Sequence, residues 1–330
     1  MIIRDKQDLR KCVKQCVRRA AAIETHVDLQ VLQGEFGVEA YLANWATRAD
    51  TLQESFEQAC TGSPFEQKPF ALLAALDALQ LPAHNLDKAQ SIIGGYQREA
   101  YLDAVLRAMR AKRVLVCVDA DNTEYQPISD ERFAPIVEVN NRYFEPGRYG
   151  VDYESAAGKI ERAARALDTF DVSLMEFSES ALRYCMIPVC EDEHLVLHAH
   201  VKTQEQLNVL LSELELHHEI RAIVSAEECM ERQLVAQSVS LKNILVQLQH
   251  TQNIPYALHM LGTRFIPYAS CAKSPEEMLG NWVYAKEALW QYLYDAYLPL
   301  ARTGFELTRE RIEADVETLL CGNYENLHRW

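Results

Sequence analysis

From residue 113 onwards, short apolar runs alternate with longer segments in which apolar residues recur every three or four positions. The short runs predict buried strands, and the longer segments predict amphipathic helices. Their alternation is typical of βα units around a parallel sheet. The predicted strands in this part of the chain are 114–118, 134–139, 172–177, 195–201, 223–225, 244–248 and 257–262.

The N-terminal third of the chain has a different pattern. A helical spacing of apolar residues over 5–20 is followed by a strand-like run at 22–29, and the segment 30–112 reads as helical throughout. The run at 22–29 brings the number of predicted strands to eight, which is the number in a (β/α)8 barrel. We therefore predict a single α/β domain over 1–330, a TIM-like (β/α)8 barrel with a helical insertion at 30–112 after the first strand.

Three sets of residues predict helix boundaries. Thr203 and Gln206 have the spacing of a capping box, and Ser274 before Pro275 predicts an N-cap followed by a first-turn proline. Gly322 is expected to end the last helix. These boundaries divide the C-terminal half into the segments that a barrel requires.

Composition and charge restrict the classes of partner. The net charge is −15, and no basic cluster is present, so we expect neither a nucleic acid nor an anionic membrane as partner. No apolar run near the N-terminus could form a signal-peptide core or span a bilayer, which predicts a cytoplasmic protein. Aromatic residues of the C-terminal helices, Trp282, Trp290 and Tyr294, suit either a homo-oligomer interface or a helix packed on the barrel.

Polar residues at strand ends are the candidates for chemistry, because α/β barrels carry their active sites at the C-terminal ends of the strands. His26 and Asp28 end the first run, and His198 and His200 end the run at 195–201. A period of two places both members of each pair on one side of the strand. Imidazole and carboxylate groups bind zinc and similar divalent ions, although single pairs of this kind often arise by chance. Glu176, near the end of its own run, is a candidate general base.

Four segments of the chain resemble the amidohydrolase superfamily, and within it the uronate isomerases and the amidohydrolase-2 group. They are IETHVDL at 23–29, LVLHA at 195–199, LHMLGTRFIP at 258–267 and DVETLLCGN at 315–323. The resemblance implies a barrel enzyme with a divalent metal, zinc, held by His26, Asp28 and His198.

The sequence also departs from the family pattern. Asp28 stands where the family has its second histidine, and Ser225 stands where a histidine is common. The aspartate of the last strand is missing, with Gly262, Thr263 or Arg264 in its place. In the family that aspartate is both a metal ligand and a proton acceptor, so its loss counts against ordinary metal-dependent hydrolysis.

Two arginines suggest an anionic small-molecule substrate. Arg264 follows the run at 257–262, and Arg142 follows the run at 134–139, where each resembles an arginine of the uronate isomerases. A guanidinium suits bidentate capture of a carboxylate or phosphate. His200 is a third candidate for substrate binding, and Arg264 a candidate catalytic residue beside Glu176.

Three functions remain open from the sequence. The first is a uronate-isomerase-like enzyme that acts with metal assistance on a sugar acid or a similar small carboxylate. The second is a metal-dependent amide, ester or lactone hydrolase. The third is a catalytically inactive barrel that binds a small anion or a protein partner.

Overall fold

A computed structural model describes residues 3, 5–43, 45–46, 48–60, 67–122, 130–145, 151–303 and 305–329. Its central element is one sheet of eight parallel strands that pair in chain order. This arrangement confirms the predicted α/β barrel class. The strands are β1 Ala22–Asp28, β2 Ala111–Asp119, β3 Phe133–Val139, β4 Asp171–Leu174, β5 Val196–Val201, β6 Ala222–Ala226, β7 Ile244–Gln247 and β8 Phe265–Ile266.

Helices precede, separate and follow the strands. Those before β2 are α1 Lys6–Arg19, α2 Gln30–Gln33, α3 Val38–Ala43, α4 Leu52–Ala59, α5 Gln67–Ala78, α6 Leu86–Ile93 and α7 Arg98–Met109. Those between β3 and β8 are α8 Tyr153–Leu167, α9 Glu179–Ala181, α10 Ile187–Asp192, α11 Gln204–Leu216, α12 Glu228–Gln237 and α13 Ile254–Leu261. The last three are α14 Pro275–Arg302, α15 Arg309–Glu317 and α16 Asn323–Leu327. Short 3-10 segments lie at Asn141–Phe144 and Thr251–Asn253, and π-helical turns at Leu182–Met186 and Thr318–Gly322.

The last predicted strand is wrong. The run 257–262 belongs to α13, and β8 is the two-residue segment that follows it. A short apolar run does not by itself distinguish a buried helix from a buried strand. Pro255 in the first turn favours the helix, and Gly262 ends it with a φ of +62°, which glycine adopts without strain. As a result, Arg264 comes before the last strand instead of after it.

Burial and register place polar side chains at one end of the sheet. β5 and β6 are buried along their whole length, as expected for parallel strands covered by helices. In the register, Ser173 lies beside His198, and His200 beside Ser225. Since all strands are parallel, their C-terminal ends form one rim, and these residues lie towards it.

The segment after β8 contacts β1 and brings the two edges of the sheet together. The backbone N–H of Asp28 donates to the carbonyl of Ala272 at 3.0 Å. The fully buried carboxylate of Glu24 accepts hydrogen bonds from three groups, which are the backbone N–H groups of His26 at 3.0 Å and Ser270 at 3.0 Å and the indole N–H of Trp282 at 2.7 Å. Glu24 therefore joins β1, the segment after β8, and α14.

Two of the predicted helix starts are confirmed, and the predicted helix end is wrong. Thr203 Oγ1 accepts the N–H of Gln206, and Ser274 Oγ accepts the N–H of Glu277, each at 3.2 Å. Gly322 has a helical φ of −62° and leads directly into α16, because glycine can adopt helical angles as other residues do. None of the described helices is long and apolar enough to cross a membrane.

The aromatic residues of α14 pack inward. Trp282 and Trp290 are buried, with 1% and 4% of their surface exposed, and Tyr294 packs against the same core. For the two tryptophans the helix-packing interpretation holds, because their surface is already covered within the chain.

Candidate active site

A small cavity lies at the C-terminal end of the barrel and is lined mostly by polar side chains. Its volume is about 20 Å³, which is room for roughly one water molecule. Three histidines line it, namely His26 of β1 and His198 and His200 of β5. We call this cavity, with these three residues, the histidine pocket.

His26 lies beside two other histidines and a cysteine. Burial, followed by the neighbouring His198 and His200, lowers the pKa of His26 to about 4. The sulfur of Cys117 lies 3.2 Å from Nε2 and 3.4 Å from Nδ1 of the ring. Burial in turn raises the pKa of the Cys117 thiol well above its ordinary value. Both groups are therefore neutral at neutral pH, and the His26 ring can accept a proton.

His200 is held by residues at the C-terminal ends of β6 and β7 and directly after them. Its Nδ1 lies 3.0 Å from Ser225 Oγ and 3.4 Å from Gln249 Nε2, and its Nε2 lies 3.4 Å from Glu227 Oε1. Because an amide nitrogen only donates, Nδ1 is the acceptor and the ring proton lies on Nε2, towards the carboxylate. Burial lowers the pKa of His200, although Glu227 opposes this effect.

His198 is oriented by a carboxylate at the N-terminal end of β4. Its Nε2 lies 2.8 Å from Oδ1 of Asp171, the first residue of β4, and both side chains are buried. A carboxylate beside one ring nitrogen of a histidine fixes which nitrogen carries the proton. The other nitrogen is then the one available to the pocket.

The loops after β7 and β8 complete the lining. The buried carboxylate of Glu231 accepts the backbone N–H of Gln249 at 2.6 Å and fixes the loop after β7. Cys271, after β8, has a φ of +46°, which is an uncommon conformation for a residue other than glycine. Both Gln249 and Cys271 line the pocket. Residues held in such conformations are often found at functional sites.

Comparison with solved structures identifies the fold. A uronate isomerase from Bacillus halodurans C-125 aligns with a TM-score of 0.83 and 16% identity, covering 98% of this chain and 96% of the isomerase. A uronate isomerase from Thermotoga maritima aligns with a TM-score of 0.67 and 10% identity, covering 97% of each chain. The chain has the uronate isomerase fold. This confirms the resemblance to the uronate isomerases at the level of the fold.

A third solved structure is also similar over nearly its whole length. It is a proposed metal-dependent hydrolase from Lactobacillus casei ATCC 334, with a TM-score of 0.62 and 13% identity, covering 96% of this chain and 99% of the hydrolase. No protein-family model and no curated protein matches the sequence. At these identities the likeness describes the fold alone.

The uronate isomerase fold brings some of the predicted residues together and leaves others apart. His26, His198 and His200 all line the histidine pocket, although they come from two different strands. Asp28 lies at the end of β1, where its Oδ1 accepts the backbone N–H of Gln30 at 2.8 Å. Glu176 is exposed and pairs with Lys202 Nζ at 2.5 Å. Neither carboxylate lines the pocket.

The two predicted arginines lie at opposite ends of the barrel. Arg142 is exposed at the C-terminal rim and forms an ion pair with Asp119, the last residue of β2. Arg264 donates to the carbonyls of Leu241, Ser238 at 3.3 Å and Val239 at 2.7 Å, which precede β7. The predicted position of Arg264 at the active-site mouth is wrong, because the residue precedes β8 and its partners precede β7. It lies at the N-terminal end of the barrel.

The predicted metal ligands do not meet around one point. Ligand atoms that share a zinc ion are at most about 4.6 Å apart, since each lies about 2.0–2.3 Å from the metal. His26, Asp28 and His198 are not within such a distance of one another. Among the described residues, the group of three potential ligands that does meet this condition is Glu191, His217 and Glu219. It lies at the end of α10 and just before β6, at the far end of the barrel, and the identity of a metal stays a prediction.

Several residues that line or support the pocket were not predicted from the sequence. Gln247 lies near the end of the predicted strand at 244–248 and Gln249 directly follows it, so an inspection of polar residues at that strand end would have found both. Asp171 and Cys117 carry no such signal, because one begins its strand and the other lies inside an apolar run. Their role depends on side chains from neighbouring strands.

Proposed function

We propose that the chain is an isomerase that moves a proton on a sugar acid or a similar small carboxylate bound at the histidine pocket. The observation that carries this proposal is the convergence of His26, His198 and His200 at the C-terminal end of a barrel with the uronate isomerase fold. Active sites of such barrels lie at this end. An aldose–ketose isomerisation needs a base and hydrogen-bond donors but no net oxidation.

The neutral His26 ring is the proposed general base. Its lowered pKa keeps it unprotonated at neutral pH, so it can take a proton from the carbon beside the substrate carbonyl. Returning that proton to the former carbonyl carbon, while the proton of the adjacent hydroxyl moves to the former carbonyl oxygen, completes the isomerisation. His200 holds its ring proton on Nε2, and Gln249 has an amide donor at the same pocket. These groups are suited to hold substrate oxygens.

The size of the pocket limits how the substrate is held. A volume of about 20 Å³ accepts one polar group of the substrate, such as its carbonyl oxygen, and the rest of the molecule lies at the rim. Arg142 is the proposed partner of the substrate carboxylate. Its present ion pair with Asp119 is exposed and is worth roughly 0–1 kcal/mol, so a substrate carboxylate can compete for the guanidinium.

A second candidate function is favoured by one specific observation. Asp28 does not line the pocket and the predicted ligands do not assemble, which favours a barrel that binds a sugar acid without converting it. Hydrolysis by a metal-bound water receives no comparable support, because it depends on the same ligand set.

A proton-exchange assay tests the proposal. The protein is incubated with a panel of aldohexuronates in D2O, and NMR measures deuterium incorporation beside the carbonyl and formation of the ketose. We expect exchange with the wild-type protein and its loss in His26→Gln. The matched control is His218→Gln, since His218 is an exposed histidine outside the pocket. Arg142→Gln should raise KM and leave kcat nearly unchanged.

Two further outcomes separate the candidates. A melting temperature that rises with a uronate, without exchange or ketose formation, would support the binding protein. The absence of both a thermal shift and exchange across the panel would contradict the proposed function. Metal analysis of the same preparation shows whether a divalent ion accompanies either result.

A further inference from the structure

A buried carboxylate links the histidine pocket with the C-terminal end of the chain. Asp171 has 5% of its surface exposed and accepts three hydrogen bonds. His198 Nε2 lies 2.8 Å and His328 Nε2 lies 2.9 Å from Oδ1, and the Tyr324 hydroxyl lies 3.0 Å from Oδ2. The pocket residue His198 and two residues near the C-terminus, Tyr324 and His328, thus share the carboxylate of Asp171.

The partners of His328 determine its protonation. Its Nδ1 lies 2.9 Å from the backbone carbonyl of Tyr324, which only accepts, and its Nε2 faces the carboxylate of Asp171. Both ring nitrogens must therefore donate, which requires the imidazolium form. Burial opposes this form, but the hydrogen bond and negative charge of Asp171 raise the pKa of His328 above its ordinary value. His328 accordingly supplies the positive charge that balances Asp171.

The same carboxylate determines which ring nitrogen of His198 carries the proton. Burial alone would raise the pKa of Asp171, but the hydrogen bonds from His198 and His328 outweigh it and hold the pKa well below its ordinary value. An ionised carboxylate only accepts, so the proton of His198 must lie on Nε2. The Nδ1 of His198 is left as an acceptor at the pocket.

The C-terminal segment holds the carboxylate in this orientation. Tyr324 and His328 bind different oxygens of Asp171, and the two rings pack together with their centroids 4.3 Å apart. The two bonds prevent the carboxylate from rotating away from His198. The arrangement exists because the chain stays helical after Gly322, so that Tyr324 within α16 and His328 directly after it reach Asp171 at the start of β4.

We propose that Asp171, held by Tyr324 and His328, is a positioning residue that fixes His198 with its proton on Nε2 and its Nδ1 lone pair at the histidine pocket. The inference rests on the proposed function for its use in catalysis, but the state of His198 can be observed without any substrate. Asp171 itself does not touch the pocket.

Side-chain nitrogen NMR of the full chain tests this directly. Long-range proton–nitrogen correlations at about pH 8, above the ordinary histidine pKa of about 6.5, should show His198 protonated on Nε2 alone. The same spectra recorded across a pH titration should show that His328 loses its second ring proton at a pH above about 6.5. Asp171→Ala should give His198 a detectable Nδ1–H population. The double variant Tyr324→Phe/His328→Leu should do the same while leaving Asp171 in place.

A matched control separates positioning from general loss of structure. Tyr297 donates to Asp315 at 2.7 Å, which is the same type of bond away from the pocket, so Tyr297→Phe should leave the His198 signals unchanged. If the Asp171 variant does not fold, the His198 tautomer in the wild type and in the double variant still tests the proposal. A wild-type His198 protonated on Nδ1, or a His328 pKa at or below the ordinary value of about 6.5, would overturn the proposal.

The outcome is independent of the proposed function. The predicted tautomer in a protein that binds no uronate would leave the positioning network standing and remove its catalytic use. If the protein isomerises a uronate but its His198 tautomer is unaffected in the double variant, the proposed function stands and the positioning network is refuted.

Discussion

Protonation of His26 should weaken the folded state as the pH falls. The pKa of His26 is lowered to about 4, whereas an unfolded histidine has a pKa of about 6.5. Between these values the unfolded chain binds more protons than the native state, so stability is fully present above about pH 6.5 and declines as the pH falls towards 4. From about pH 7.5 to 4.5 this linkage corresponds to about 2.5 kcal/mol. Partial access through the pocket reduces the expected loss to about 2 kcal/mol.

Urea unfolding of the wild type and of His26→Gln at both pH values measures this contribution. Glutamine does not titrate, so the wild type should lose about 2 kcal/mol more than the variant between the two conditions. The buffer contains a chelator, so that metal binding does not compete with protonation. The exposed His218→Gln variant should follow the wild type. Equal losses in the wild type and His26→Gln would refute the view that His26 is held neutral by its surroundings.

Three further predictions follow from the described contacts. Arg264→Met should lower the free energy of unfolding by about 1–3 kcal/mol in urea, because it leaves carbonyl groups without their donor, and should not change a uronate-dependent thermal shift. A lost thermal shift with unchanged stability would contradict the placement of Arg264. Glu24→Leu should cost about 3–5 kcal/mol by thermal unfolding, since it strands the indole and two backbone N–H groups; a cost below about 1 kcal/mol would argue against this role. Because the pKa of His328 is raised, its contribution to stability is full below about pH 6.5 and is lost as the pH rises through the raised pKa. His328→Leu should therefore lower the urea midpoint more at about pH 6 than at about pH 9. The opposite trend would exclude the ion pair with Asp171.

Asp28 illustrates where strand periodicity stops being informative. The period of two predicts that Asp28 shares the side of His26, and both do lie on β1. The register of β1 is irregular between Glu24 and Val27, however, and the short Asp28 side chain bonds instead to the backbone of Gln30. Local hydrogen bonds of this kind compete with the regular strand pattern. A ligand prediction based on spacing alone could not include them.

The sequence by itself determined the barrel class, seven of the eight strand positions, and the histidines that line the pocket. These features depend on apolar periodicity and on the rule that barrel chemistry lies at strand ends, both of which are local properties of the chain. The same reasoning gave a wrong prediction for the segment 257–262, because an apolar run of that length suits a helix as well as a strand.

Only the tertiary structure decided which polar groups meet. Arg264 lies at the N-terminal end of the barrel because the segment before it is a helix and not the last strand. The neutral state of His26 depends on its burial beside residues from other strands. The Asp171–His328 pair joins residues 157 positions apart. Hydrogen bonds between distant residues leave no periodic trace in the sequence, since each partner satisfies its own local pattern, and the pair becomes necessary only when both are buried together.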